Sequence, residues 1–385
     1  MFGRVAHLLL MTLVMLGGVI GGVLLAREFP LGTLSQKDIS RLTGTLAWVA
    51  GHYVDPVDNP TLVDYALEGL FERLDPHSQY LDPVSMRDLR SQAHGHYAGI
   101  GIEVSLIEGW FTVTSVMSGS PAERAAIAVA DRITSVNGQS LRALRINDVQ
   151  SMLRGTAGTE VTLGLVRGGK ERIDLKLIRE RIKLDSVEAS LPLRGIPLLR
   201  VSVFHEHTAR EIRTAIEAER ATNGELKGLL LDFRGNPGGL LPSAVEVADL
   251  FLVEGLIVRT DGRDEKSHSE HSATQGDMLE GLPIAILIDE RTASAAEVVA
   301  AALQDHQRAL LFGTRSHGKG SVQTLFAEPG QRGVKLTTAR YVAPSGRSID
   351  GIGVEPDVIW QGDYDALPAH ANQYLIDASG ERAAL

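Results

Sequence analysis

The spacing of apolar residues changes character along this chain. Val5 to Ala26 is an unbroken apolar run with no acid or base except His7. As a helix its 22 residues would span ~33 Å, the thickness of a bilayer core. The run is longer than the core of a cleaved signal, and Leu24-Leu25-Ala26 is a poor exit for one. Residues 1–30 therefore read as a membrane anchor, with a cleaved signal segment as the alternative. Ile39, Leu42, Leu46 and Val49, then Leu62, Ala66, Leu70 and Leu74, recur every three or four residues and predict helices until Asp75-Pro76 and Asp82-Pro83 break the pattern. Residues 31–92 are thus an N-terminal helical region. Between 93 and 181 the pattern shortens to strands: Gly101–Leu106, Trp110–Val116, Arg132–Val136, Val161–Arg167 and Arg172–Ile178. Short helices over Pro121–Ala126 and Asn147–Leu153 interrupt them. From 182 to 362 buried strands alternate with helices, with strands at Leu198–Phe204, Gly228–Phe233 and Pro283–Asp289. This pattern predicts an α/β layer, a sheet covered by helices. Residues 363–385 are polar and read as a C-terminal tail.

Composition narrows the chemistry. The chain has 385 residues, 44% of them apolar, so it is long enough for more than one domain with a sizeable core. A net charge of −10 argues against binding a nucleic-acid backbone. With no cysteine, thiolate catalysis, cysteine-bound zinc and disulfides are excluded. The histidine pairs His94/His96, His205/His207 and His268/His271 read as incidental surface rather than ligand sets, and H-E-x-x-H is absent, so no metal and no cofactor is expected.

Chemistry concentrates in glycine-rich or capped segments. Thr292-Ala293-Ser294-Ala295-Ala296-Glu297 follows a buried strand and opens an alanine-rich helix. As S-x-x-E it is a capping box; equally, it sets a serine hydroxyl where free N–H groups favour negative charge. Ser316-His317-Gly318-Lys319-Gly320-Ser321 is either an exposed turn or a segment that packs Lys319 closely enough to bury its amine and hold it neutral. Gln323, four residues on, is expected on the same face as Lys319; His317 reads as a solvated packing residue or, if charged, as a group that would depress the amine further. Leu231 to Gly239 ends a strand in Asn236-Pro237-Gly238-Gly239, either a plain turn or a pair of glycine N–H groups able to hold an oxyanion.

Together these segments resemble the carboxyl-terminal processing peptidases, or tail-specific proteases, over nearly everything from Leu42 to Asp357. The lysine lies 25 residues after the serine and the glutamine four further. Tyr53-Val54-Asp55-Pro56 and Leu74-Asp75-Pro76-His77-Ser78 also match. The resemblance implies Ser294 as nucleophile, Lys319 as general base and Gln323 as its orienter. It also implies an oxyanion hole from Ala295 and either Gly238 or Gly239. The β domain looks like this family's PDZ domain, with Gly99, Ile100, Gly101 and Ile102 as the peptide-binding loop and the helix near Ile146–Leu153 as the other wall. One departure is Ala125-Ala126-Ile127-Ala128-Val129-Ala130-Asp131, where the family usually carries glycine; alanine is strained there if φ is positive.

The expected function is a serine endopeptidase that cuts proteins near apolar C-termini held by the PDZ domain, tethered to the inner membrane on its periplasmic side. A tethered PDZ scaffold with an inactive core is the alternative. The sequence leaves open an adaptor protein and a homo-oligomer. The terminal Ala383-Ala384-Leu385 is itself a terminus such a loop would bind, and an extended tail would reach ~75 Å.

Overall fold

The computed structural model describes residues 34–193, 196–274 and 276–382. The apolar run Val5–Ala26 lies outside them, and among the described residues no helix is long and apolar enough to cross a membrane. The chain divides after Leu74 into two units. The described part of the first contains α1 (Gln36–His52) and α2 (Asn59–Glu72). Both start on side-chain caps, Ser35 accepting from the Asp38 N–H at 3.2 Å and Asp58 from that of Thr61 at 2.9 Å. α1 buries none of its side chains, and its apolar Leu42 and Trp48 are exposed.

The second unit opens with β1 (Gln79–Leu81) and α3 (Pro83–Ala93), residues expected in the N-terminal helical region. The Asp75-Pro76 and Asp82-Pro83 breaks explain the change of partner. They end the helical run and start α3, whose Asp82 cap accepts from the Ser85 N–H at 2.7 Å. β2 (His96–Gly99) leads into the β domain: β3 (Ile102–Ile107), β4 (Trp110–Val116), α4 (Pro121–Arg124), β5 (Arg132–Val136), β6 (Gln139–Ser140), α5 (Ile146–Leu153), β7 (Glu160–Arg167) and β8 (Glu171–Ile178). Its antiparallel sheet runs β3-β4-β5-β7-β8 around a core that includes Val113, Val136, Val149 and Leu163. β9 (Glu180–Lys183) pairs with β2, zipping the domain's entry to its exit. In the segment where glycine is usual, Ala126 and Ala130 adopt φ of 57° and 73°, the strained conformation that the sequence led us to expect.

The remaining elements form two sheets. They are β10 (Val187–Leu193), β11 (Ile196–Val201), α6 (Thr208–Asn223), β12 (Leu229–Asp232), α7 (Leu241–Asp249), β13 (Leu256–Gly262), β14 (Ser269–Ser272), β15 (Ile284–Ile288), α8 (Ala295–Asp305), β16 (Ala309–Gly313), β17 (Ser321–Ala327), β18 (Gly333–Val342), β19 (Val358–Ile359) and α9 (Leu367–Arg382). The main sheet runs β10-β11-β12-β15-β16-β19, parallel from β11 onward. Strand alternation sends Leu229, Leu231, Ile284 and Ile286 to the face covered by α6, α7 and α8, and Leu230, Ala285 and Leu287 to the face covered by α9. The second sheet, β1-β18-β13-β14 with β17 also on β18, was not foreseen. Thr324, Lys335, Thr337 and Arg340 keep β17 and β18 too polar for a hydrophobic pattern to mark them. The expected tail is also corrected. Leu367, Ala371 and Leu375 pack α9 on the main sheet, while residues 383–385 lie outside the described part.

Candidate active site

The parallel strands β12, β15 and β16 deliver their carboxyl ends to one edge of the main sheet, where ligands bind in such folds. The loops that leave them are the segments singled out in the sequence. After β15, all of whose residues are buried, the chain reaches Ser294 with φ 55° and ψ −118°, a region non-glycine residues rarely occupy. α8 begins at the next residue and is buried along Ala295–Leu303, its alanines allowing close approach to the sheet and α7.

Glu297 joins this loop to the one after β16. Fully buried, it supplies its half of the capping box by accepting from the Ser294 N–H with Oε2 at 2.8 Å. The same oxygen accepts from the Lys319 N–H at 2.9 Å, and Oε1 accepts from Ser316 Oγ at 2.5 Å and the Gly318 N–H at 2.7 Å. One carboxylate therefore fixes the backbones of both Ser294 and Lys319. The half-buried Lys319 amine is held below the usual lysine range, first by burial and then by the Lys335 ammonium, against the pull of Asp75 and Glu297. Tyr341, 4% exposed on β18, has its hydroxyl pushed up by burial, against the opposing pull of the Ser294 side chain.

The loop after β12 is built on Asn236, which is fully buried. Its Nδ2 donates to the Val201 carbonyl at 2.7 Å, and its own carbonyl accepts from the Ala293 N–H at 2.9 Å. Its Oδ1 accepts from the Gly238 N–H at 2.8 Å. The Gly238 amide is thereby committed, whereas the N–H groups of Gly239 and Ala295 have no partner among the described residues. Gly238 has a different task. With φ 98°, it leans against Ser294 so closely that a Cβ would lie 2.7 Å from Ser294 Cβ and 2.8 Å from the Ala295 nitrogen.

One expectation changes. Gln323 does not bond to Lys319; its Nε2 donates to Ser321 Oγ at 2.9 Å and Thr337 Oγ1 at 3.3 Å. Lys319 precedes β17 and a register shift follows Val322, so the assumed face-sharing does not apply. His317 is exposed, in keeping with its solvated reading. In the β domain, Gly99, Ile100, Gly101 and Ile102 line a groove of about 350 Å³ with Gln150 and Leu153 of α5, beside the edge strand β3. Glu206 serves both His94, at 2.6 Å, and its neighbour His207, at 3.4 Å. No group of three or more His, Asp or Glu side chains is set to hold a metal among the described residues.

Residues 195–360 match the model of peptidase family S41, and residues 112–167 match a PDZ domain. The carboxy-terminal-processing protease of Bartonella bacilliformis is 38% identical over 84% of this chain and 75% of its own length. The chain belongs to peptidase family S41. Within that family it stands among the carboxy-terminal processing serine proteases, with a PDZ domain that implies peptide or protein substrates. It is also similar to the carboxy-terminal processing protease CtpA of Bacillus subtilis, 33% identical over 87% of this chain and 73% of that protein. The structure of a photosystem II D1 C-terminal processing protease, 28% identical, superposes with a TM-score of 0.51 over 85% of this chain and 94% of that one. Sequence reasoning about this S41 peptidase missed Glu297 as the clamp, Asn236 as the loop's keystone and Tyr341. Only Glu297 carried a signal, as the last residue of the capping box.

Proposed function

We propose that this peptidase works through a Ser294–Lys319 dyad. The neutral Lys319 amine accepts the proton of Ser294 as its Oγ attacks the scissile carbonyl, then returns that proton to the leaving amine. Water hydrolyses the acyl-enzyme. The oxyanion is held by the N–H groups of Gly239 and Ala295, with the Ala295 amide at the positive end of α8. Gly238 and Asn236 shape that hole, and Gln323 supports the dyad through Ser321 and Thr337. Substrates enter by an apolar C-terminus whose carboxylate meets the Gly99–Ile102 loop, the preceding residues adding along β3. The N-terminal apolar run tethers the enzyme to the inner membrane, with the catalytic unit on the periplasmic side.

The observation that carries this reading is the shared Glu297 carboxylate, which binds the backbone of Ser294 and of a half-buried Lys319 together. A fluorophosphonate probe should label the wild type at Ser294 and fail to label Ser294→Ala or Lys319→Ala. Cells carrying Ser294→Ala should accumulate unprocessed C-termini in membrane-associated or periplasmic proteins. Labelling of Lys319→Ala at the wild-type rate would overturn the dyad.

A further inference from the structure

β19 runs parallel to β16, so the chain leaves it at the edge of the main sheet that carries the active-site loops. Residues 360–366 turn there into α9. The Trp360 N–H donates to the Gly313 carbonyl at 2.8 Å, and the Asp363 carbonyl accepts from Trp360 Nε1 at 2.9 Å and from the Ala366 N–H at 3.1 Å. This turn delivers Tyr364 to the loop after β12. Its ring centroid lies 4.1 Å from Arg234 Cζ, and its carbonyl accepts from Arg234 Nη1 at 2.5 Å.

Arg234 is buried, and its other guanidinium nitrogens grip Asp232, Nε donating to Oδ1 at 2.8 Å and Nη2 to Oδ2 at 2.7 Å. A guanidinium taken out of water needs each edge and each plane answered. Asp232 answers two nitrogens, the Tyr364 carbonyl a third, and the Tyr364 ring covers a plane. From here the loop after β12 is tied across to the loop after β15. The Gly235 N–H donates to Asp289 Oδ1 at 2.9 Å, and Thr292 Oγ1 donates to the Phe233 carbonyl at 2.9 Å. Burial works to raise the Asp289 carboxyl, but the Gly235 N–H and the Arg291 groups outweigh it and keep it ionised. The Asn236–Ala293 bond is the last tie, three residues before Gly239 and two before Ala295. By contrast, the Tyr364 hydroxyl meets Asp289 Oδ2 and Arg291 Nη2 only at 3.4 Å each, longer than a good hydrogen bond. The ring, not the hydroxyl, makes the substantial contact.

We propose that Tyr364 is a positioning residue for the oxyanion hole: stacked on Arg234 from the turn before α9, its ring holds the tied loops after β12 and β15 in place, so that the Gly239 and Ala295 N–H groups keep the spacing an oxyanion needs. The inference rests on the oxyanion-hole and dyad reading above. A cation stacked on an aromatic face interacts more strongly where water is excluded, and small displacements of donors are costly to a transition state. Tyr364 is itself 42% exposed, so its replacement leaves no cavity in the core and the fold should tolerate it.

The test compares Tyr364→Leu, which removes the aromatic face, with Tyr364→Phe, which keeps it. The readouts are kcat and KM for peptide cleavage per active site, titrated to completion with the fluorophosphonate probe, and the affinity of a peptide boronate, whose tetrahedral adduct with Ser294 places an oxygen in the oxyanion hole. Tyr364→Leu should lower kcat about tenfold with KM nearly unchanged, a smaller loss than removal of a donor itself, and should weaken the boronate by a similar factor. Tyr364→Phe should stay within about twofold of the wild type in all three. An unchanged kcat per active site in Tyr364→Leu overturns the proposal. So does a fall in kcat without a matching loss of boronate affinity, or Tyr364→Phe as impaired as Tyr364→Leu. Labelling of Lys319→Ala at the wild-type rate would instead overturn the dyad, so the failures are distinguishable.

Discussion

At the residue scale, Lys319 and Gly238 make the sharpest predictions. The Lys319 amine is held below its usual value, so its ammonium form, inactive under the proposed dyad, persists only at lower pH. Activity should therefore rise with pH, through a midpoint below the ~10.4 of a free lysine, in a pH profile of kcat/KM. Gly238→Ala combines an unfavourable φ of 98° with a Cβ 2.7 Å from Ser294 Cβ. It should lower kcat by about a hundredfold or more, as loss of an oxyanion donor does, because it displaces the Ala295 amide. Peptide turnover by a variant that retains the wild-type unfolding curve is the measurement. The proposed pairing of Ser294 with Lys319 draws on two short segments and their separation, and the structure ties both backbones to Glu297. The roles of Asn236 and Glu297 were not legible, since a buried amide and a capping glutamate read as ordinary turn and helix chemistry until their partners are known.

The β domain shows how far an element can be read locally. Trp110–Val116 and Arg132–Val136 are observed with the bounds that their alternation predicts. The strain at Ala126 and Ala130 was also legible, because replacing glycine in a turn that needs positive φ has a known cost of about 1–2 kcal/mol. Ala126→Gly and Ala130→Gly should each stabilise the protein by about 0.5–1 kcal/mol, the gain being reduced by the freedom glycine brings to the unfolded chain. Urea unfolding, followed by a signal from the β domain such as Trp110 fluorescence, would detect it; a loss of stability in both variants would contradict the strain. The β17–β18 hairpin was not legible. Its strands take stability from pairing with each other and with β1 and β13, and sites on a half-exposed sheet leave no alternation of apolar residues to find.

For the whole molecule, the decisive correction is α9. A polar composition made residues 363–385 look like a free tail, yet three apolar residues spaced by four, Leu367, Ala371 and Leu375, cover the second face of the main sheet. Leu375 is fully buried, so Leu375→Ala should cost about 2–5 kcal/mol in equilibrium unfolding, where a free tail would show no change. A helix rises only ~1.5 Å per residue, so this segment lacks the reach assumed for docking its own terminus. The sequence by itself determined the family, the spacing of Ser294, Lys319 and Gln323, the β domain and the strained alanines, because these depend on residue type and local periodicity. Tertiary structure alone decided that Asn236 takes the Gly238 amide, leaving Gly239 free, that Glu297 ties the Ser294 and Lys319 loops together, and that the Asp75 turn binds Thr337 of β18. Those partners lie far apart in the chain, and a hydrogen bond or a charge acts by distance in space, which no pattern along the sequence encodes.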